Sequence, residues 1–122
     1  MTGETGETSF NLDDMSNPRS IFAICRYQGQ PLGCGALCPL NETTAEIKRM
    51  YSRKSRMGVG SSILNYLEKE AINLNYSIIR LETRKINKKA IQFYGSKGYY
   101  CIPNYGRYIG RTEAICFEKN LL

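Results

Sequence analysis

Histidine is absent from this chain, and its five cysteines, Cys25, Cys34, Cys38, Cys101 and Cys116, form no Cys-x-x-Cys pair. A zinc site of the usual composition therefore has no ligand set, and cysteine nucleophilic catalysis lacks its customary imidazole base. No metal is expected. Most of these cysteines stand inside apolar, strand-like runs, where a thiol acts as a small hydrophobe in a reducing compartment. Also missing is any apolar run near the roughly eighteen residues of a membrane span. The N-terminus shows no basic stretch followed by an apolar one, the mark of a secretory signal. A cytoplasmic protein with no membrane partner is the expectation.

What is present is ordinary for a small globular chain. The 122 residues are 42% hydrophobic and 23% charged, enough for one core and too few for two. The formal charge of +6 suits an anionic partner, either nucleic acid or a phosphate-bearing cofactor. Basic residues gather at Lys48, Arg49, Arg53, Lys54 and Arg56, and again at Arg84, Lys85, Lys88 and Lys89. Each cluster borders an expected helix N-terminus, where phosphates are held; the alternative is merely solvated surface charge. Aromatic residues are not interleaved with these clusters, as a base-stacking platform requires, so no nucleic-acid partner is expected.

The chain is organised around Ala45 to Asn75, which reads as strand, glycine-containing loop and helix. Side chains alternate from Ala45 to Arg53; then Gly60, Ile63, Leu64, Leu67, Ala71 and Leu74 recur at spacings of three and four, one helical face. Gly58 and Gly60 permit close approach of backbone to a ligand. The first helical amides have no intrahelical acceptor and carry the positive end of the helix dipole, so Met57, Gly58, Val59, Gly60 and Ser61 present free donors to a phosphate. A Walker loop is excluded because Ser61 and Ser62 follow Gly60. A dinucleotide fingerprint is disfavoured because Ile63 stands where its third glycine belongs.

Around this unit, Met1 to Arg19 reads as irregular. Ile21–Tyr27 and Pro31–Leu40 read as a hairpin over the turn Gln28-Gly29-Gln30. Asn75 tolerates a left-handed helix stop, and Tyr76–Thr83 reads as a strand reached by a right-handed crossover, parallel to the first. Asn87 is a good N-cap for a helix to about Ser96, with Gly98 as its stop. Tyr99–Ile102 and Glu113–Glu118 read as closing strands. The expected domain spans 21–122, after an irregular segment over 1–20.

The loop resembles motif A of the GCN5-related N-acetyltransferases, the GNAT superfamily, with Gly58 and Gly60 at its glycine positions. Glu46–Tyr51 is similar to that family's fourth strand, Arg80-Leu-Glu-Thr83 to its fifth, and Asn87 to Tyr99 to its fourth helix and exit. Ser55 stands where the signature has Gln or Arg, flanked by Arg53 and Arg56. The resemblance implies an α/β GNAT-like mixed sheet with helices on both faces and the fourth and fifth strands parallel. The opening strand and first two helices have no evident counterpart before Ile21, and an uncovered sheet suggests a homodimer.

By the same resemblance the activity is transfer of an acetyl group from acetyl-CoA to the amine of a small-molecule acceptor. A protein amine acceptor, or an inactive CoA-binding module, are the alternatives. Met50, Tyr51 and Ser52 at the strand end would supply oxyanion donors. Arg53, Arg56 and residues 57–61 would hold the pyrophosphate, and Asn87 would contact the cofactor as well as capping its helix. Tyr94 matches the family's general acid; its other reading is half of an apolar face with Ala90 and Ile91. Glu46 matches the fourth-strand general base, or is a strand glutamate paired with a cation such as Lys48. Tyr105, Arg107, Tyr108 and Arg111 lie where the family shapes its acceptor site, or are surface-loop residues with local contacts.

Overall fold

The computed structural model describes residues 17–53 and 58–122. Most of the expected irregular segment 1–20, and the expected absence of opening elements, therefore lie outside the described residues, as do Arg56 and Met57 of the proposed pyrophosphate loop. The described strands are β1 (Ile21–Tyr27), β2 (Gln30–Pro39), β3 (Thr44–Ser52), β4 (Ile78–Arg84), β5 (Tyr100–Ile102) and β6 (Ala114–Asn120). They form one sheet in the order β1-β2-β3-β4-β6-β5. Only the β3/β4 pair is parallel, as the strand-helix-strand reading requires.

Each connection follows from local chemistry. Gln28 and Gly29 take φ values of 51° and 80° between paired Tyr27 and Gln30, the left-handed pair that a two-residue hairpin needs. Helix α1 (Val59–Asn73) begins one residue earlier than its periodicity suggests and buries Val59, Ile63, Leu64, Leu67 and Ala71. It stops beside Asn75, whose φ of 70° is the expected left-handed exit. Helix α2 (Lys88–Ser96) is capped by the Asn87 side chain, which accepts from the Ala90 amide at 3.1 Å.

Two rows across the sheet show why this sequence has one dry face. Leu37, Ile47, Leu81 and Phe117 are successive cross-strand partners and all are buried under the helices. Burial is worth roughly 1.5–3 kcal/mol for each such side chain. One residue along, Glu46, Arg80, Glu118 and Tyr100 form the next row, pointing to the opposite face. Arg80 Nε donates to Glu118 Oε1 at 2.8 Å, and this bond holds the Glu118 carboxyl below its ordinary range.

Both described helices lie side by side on the dry face. The Tyr99 hydroxyl, just after α2, donates to Glu68 Oε2 of α1 at 2.8 Å, and Lys119 Nζ donates to Glu68 Oε1 at 3.1 Å. Among the described residues the opposite face carries no helix; the segment between β5 and β6, with a 3-10 turn at Gly106–Tyr108, folds over Glu46 there. α1 sits unusually close to β2. A Cβ on Gly33 would fall 2.7 Å from Val59 Cγ1 and 2.5 Å from the Tyr51 carbonyl oxygen, and one on Gly35 would fall 2.6 Å from Met50 Sδ.

Candidate active site

The site begins with a fault in the sheet. Between Cys34 and Ala36 the β2 partner changes from Tyr51 to Lys48, so Gly35 alone stands opposite Arg49 and Met50. Arg49 absorbs the extra residue with a φ of 59°, a left-handed conformation that a β-bulge imposes here on a non-glycine residue. The bulge bends β3 away from its parallel neighbour. Their pairing ends at Ile47 with Leu81, although β3 runs to Ser52 and β4 to Arg84.

Into this wedge comes Tyr94 of α2, 7% exposed, its ring edge-to-face with Phe93 and Tyr99. Burial pushes its hydroxyl up to about 12, so it stays protonated throughout the physiological range. Tyr94 lies where two cavities meet. The first, about 400 Å³, runs between Met50 and Ser52 of β3, Gly60 and Ser61 of α1, and Phe93 of α2. The second, about 220 Å³, shares Met50, Asn87 and Tyr94 with it and extends to Glu82 and Arg107.

The first cavity has the donors an elongated phosphate ester needs. The Ser62 amide is bonded to the Gly58 carbonyl at 3.0 Å, so the amides of Val59, Gly60 and Ser61 precede the first intrahelical bond, and among the described residues no side chain caps them. Gly58 supplies the left-handed entry, with φ 72°. Among the described residues the Ser52 hydroxyl, buried at the same cavity, has no hydrogen-bond partner, an orphan that a bound polar group would satisfy. The Arg53 amide donates to the Leu32 carbonyl of β2 at 2.8 Å. Strand alternation then aims the Tyr51 amide at β2 and the Ser52 amide into the wedge. The Arg53 guanidinium donates to the Pro31 carbonyl at 3.2 Å and is turned toward β2 rather than to the helix start.

Glu46 lies on the opposite face, 4% exposed. Its Oε2 accepts from the Tyr105 hydroxyl at 2.6 Å and its Oε1 is 3.8 Å from Lys48 Nζ. It lines a third cavity of about 300 Å³ under the β5–β6 segment, with Lys48, Tyr105, Arg107 and Tyr108. Lys48, Arg107 and Tyr108 also line the second cavity, so the two adjoin. The Arg107 guanidinium donates to the Tyr108 hydroxyl at 3.1 Å, and Tyr105 and Tyr108 pack edge-to-face. Burial, then the hydrogen bond to Glu46, pushes the Tyr105 hydroxyl far up.

Sequence reasoning passed over Glu82. It stands two residues beyond Arg80, so alternation alone places it on the Glu46 face. Its carboxyl is raised chiefly by burial and then by Glu46, against the opposing pull of Arg107 and Arg111. Phe93 of the first cavity was also passed over, whereas Lys89, which lines it too, belongs to the second basic cluster of the sequence. The position of Phe93 in the second turn of α2 carried a signal, since Asn87 and Tyr94 bracket it.

The profile described as acetyltransferase (GNAT) family matches residues 3–99. An IAA acetyltransferase of Azospirillum brasilense is 28% identical over 114 residues, covering 91% of this chain and 74% of that protein. A Klebsiella pneumoniae protein classed among the acyl-CoA N-acyltransferases has a crystal structure that superposes with a TM-score of 0.85 at 26% identity, covering 98% of this chain and 84% of its own. A GNAT family acetyltransferase from Elizabethkingia anophelis, solved with acetyl-CoA bound, shares the fold at a TM-score of 0.74 and 19% identity, covering 93% of this chain and 84% of its own.

Proposed function

The chain belongs to the acetyltransferase (GNAT) family, and from that membership we propose that it transfers the acetyl group of acetyl-CoA to the amine of a small-molecule acceptor. The observation that carries this reading is the position of Tyr94, at the meeting of two cavities inside the β3/β4 wedge. One cavity holds the donor and the other the acceptor, so the thioester carbon is presented to the amine through the gap. The acetyltransferase activity for which the Azospirillum relative is named supports the reaction class, and the acetyl-CoA bound to the Elizabethkingia protein supports the donor.

In this reading the amides of Val59, Gly60 and Ser61 hold the pyrophosphate. Lys89 lines the same cavity and adds a cation. The Ser52 amide and hydroxyl face the wedge, where the carbonyl oxygen gains charge; a preorganised donor there is worth roughly 3–4 kcal/mol. Positioning amine and thioester side by side contributes up to about 7–11 kcal/mol.

Tyr94 serves the leaving sulfur. A hydroxyl at about 12 is a weaker acid than a thiol near ~8.5, so outright transfer to the thiolate is uphill by about 5 kcal/mol. Tyr94 therefore acts first as a hydrogen-bond donor to the developing thiolate, and gives up its proton only as the attacking nitrogen returns one. The homodimer expected from the sequence belongs to the same proposal; a clean monomer in sedimentation at micromolar concentration counts against it.

The test is thiol release from acetyl-CoA across a library of small amines, with CoA affinity measured separately. Release with some acceptor supports the enzyme. CoA binding without release for any amine or peptide points to a binding module.

A further inference from the structure

We propose that Glu82, rather than Glu46, is the group that receives the acceptor's ammonium and takes its proton, while Glu46 is a positioning carboxylate that anchors the segment over the acceptor cavity. This assignment rests on the acetyltransferase reading above.

The first argument is placement. Leu81 makes the last β3/β4 pair, so Glu82 is the first β4 residue beyond the ladder and stands inside the wedge. It lines the second cavity together with Tyr94, which puts a carboxylate and a phenol on the walls of one space. Glu46 comes before the wedge, is paired in register with Arg80, and lines only the neighbouring cavity.

The second argument is commitment. Glu46 is held at both oxygens, by the Tyr105 hydroxyl at 2.6 Å and by Lys48 Nζ at 3.8 Å. Taking a proton at Oε2 would break the short bond that fastens the β5–β6 segment. Among the described residues Glu82 meets the Arg107 and Arg111 guanidiniums through their charge and lacks the short hydrogen bond that holds Glu46, so its carboxylate can receive an incoming ammonium.

The third argument is the surrounding charge. Around Glu82 stand Lys48 and Glu46 from β3, Cys116 from β6, Arg107, Tyr108, Arg111 and Glu113 from the covering segment, Tyr94 from α2, and Arg80 and Arg84 on its own strand. Burial and the Glu46 charge outweigh the two arginines and leave the Glu82 carboxyl raised, the direction that makes a carboxylate a stronger base. Tyr94, pushed up to about 12, is driven the other way relative to neutrality. A carboxylate and a phenol thus separated on one cavity have complementary proton duties.

The proton count closes. An alkylammonium loses one proton to the Glu82 carboxylate and becomes a neutral amine. Its nitrogen lone pair forms the new N–C bond, and the C–S bond breaks with its electrons on sulfur. The nitrogen's second departing proton replaces the one Tyr94 gives to sulfur. Products are the amide and CoA thiol, and the proton on Glu82 leaves to water.

The test is the pH profile of kcat/KM for wild type, Glu82→Gln, Glu82→Asp and Glu46→Gln, with an acceptor the wild type uses, beside melting curves and CoA affinity. Glu82→Gln is expected to lower kcat/KM by about 10²–10⁴-fold at neutral pH. It should lose the acidic-limb inflection and recover partly at alkaline pH, where the amine is already neutral. Glu82→Asp should keep an inflection at reduced rate, which decides the matter if the Gln variant does not fold. Glu46→Gln should keep the wild-type inflection while raising the acceptor KM. A wild-type profile in both Glu82 variants, or loss of the inflection in Glu46→Gln instead, overturns the assignment. Absence of turnover in the wild type with every amine would instead fell the acetyltransferase reading, and this assignment with it.

Discussion

The Tyr105 hydroxyl donates to Oε2 of Glu46 across 2.6 Å, fastening the segment between β5 and β6 to a carboxylate buried in the middle of the sheet. Removing the hydroxyl leaves a buried charged acceptor short of one donor, which costs about 1–3 kcal/mol. Tyr105→Phe should therefore lower the melting temperature and raise the acceptor KM, because the segment also carries Arg107 and Tyr108 over the cavity. CoA affinity should not change, since the first cavity lies on the other side of the wedge. A calorimetric scan with a CoA titration checks both halves.

Alkaline stability follows from the buried phenols. The Tyr94 hydroxyl rises from its ordinary 10.0 to about 12 through burial, and those of Tyr99 and Tyr105 rise as well. A folded state that binds protons more tightly than the unfolded one is fully stabilised below pH ~10 and loses that stability as pH climbs through the folded value. For Tyr94 the span corresponds to about 3 kcal/mol. The wild-type melting temperature should fall steeply above pH ~10, and Tyr94→Phe should fall less steeply. Parallel slopes would contradict the burial assignment.

Glycine substitutions separate packing from binding. Gly33→Ala and Gly35→Ala place a Cβ against backbone oxygen or sulfur at 2.5–2.6 Å, so each should lower the urea midpoint, by overpacking worth about 1–3 kcal/mol. Gly58 has open space around its Cβ position but a φ of 72°. Gly58→Val should therefore cost about 1–2 kcal/mol through backbone strain, and weaken CoA by disturbing the start of α1. Unchanged CoA affinity in folded Gly58→Val would move the donor site elsewhere.

Glu82 should show the opposite sign of a stabilising residue. Its carboxyl is raised in the folded state, so the stability it contributes is present at acid pH and lost as pH rises through the folded value. Glu82→Gln does not titrate. Its melting temperature relative to wild type should rise as pH climbs from the ordinary carboxyl value through the raised folded one, a pattern expected where function is held against stability. A constant deficit across that range would mark Glu82 as structural.

Much of this was legible in the sequence because it depends on local rules. The Gln28-Gly29 turn, the periodic face from Ile63 to Ala71, the Asn87 cap and the Asn75 stop each announce themselves within a few residues. The wedge did not, because it arises where Gly35 of one strand meets Arg49 and Met50 of another, and Arg49 gives no sign of a left-handed backbone. The role of Glu82 depends on where the β3/β4 ladder ends, a property of two strands about thirty residues apart. Glu46 was readable as an interior strand carboxylate, but its partner Tyr105 comes from a segment whose fold only the sheet determines. Arg53 shows the same limit: its charge beside the loop suggested a phosphate contact, while its strand register directs it to Pro31.

The central claim is that the two cavities joined at Tyr94 pass an acetyl group from CoA to an amine. Thiol release from acetyl-CoA, measured for wild type and Tyr94→Phe across a library of small amines, tests it most directly. The account predicts release by the wild type with at least one amine. It predicts a drop of about ten- to a thousand-fold in Tyr94→Phe, at matched melting temperature near neutral pH and matched CoA affinity. No release with any amine, or a wild-type rate in folded Tyr94→Phe, would contradict it.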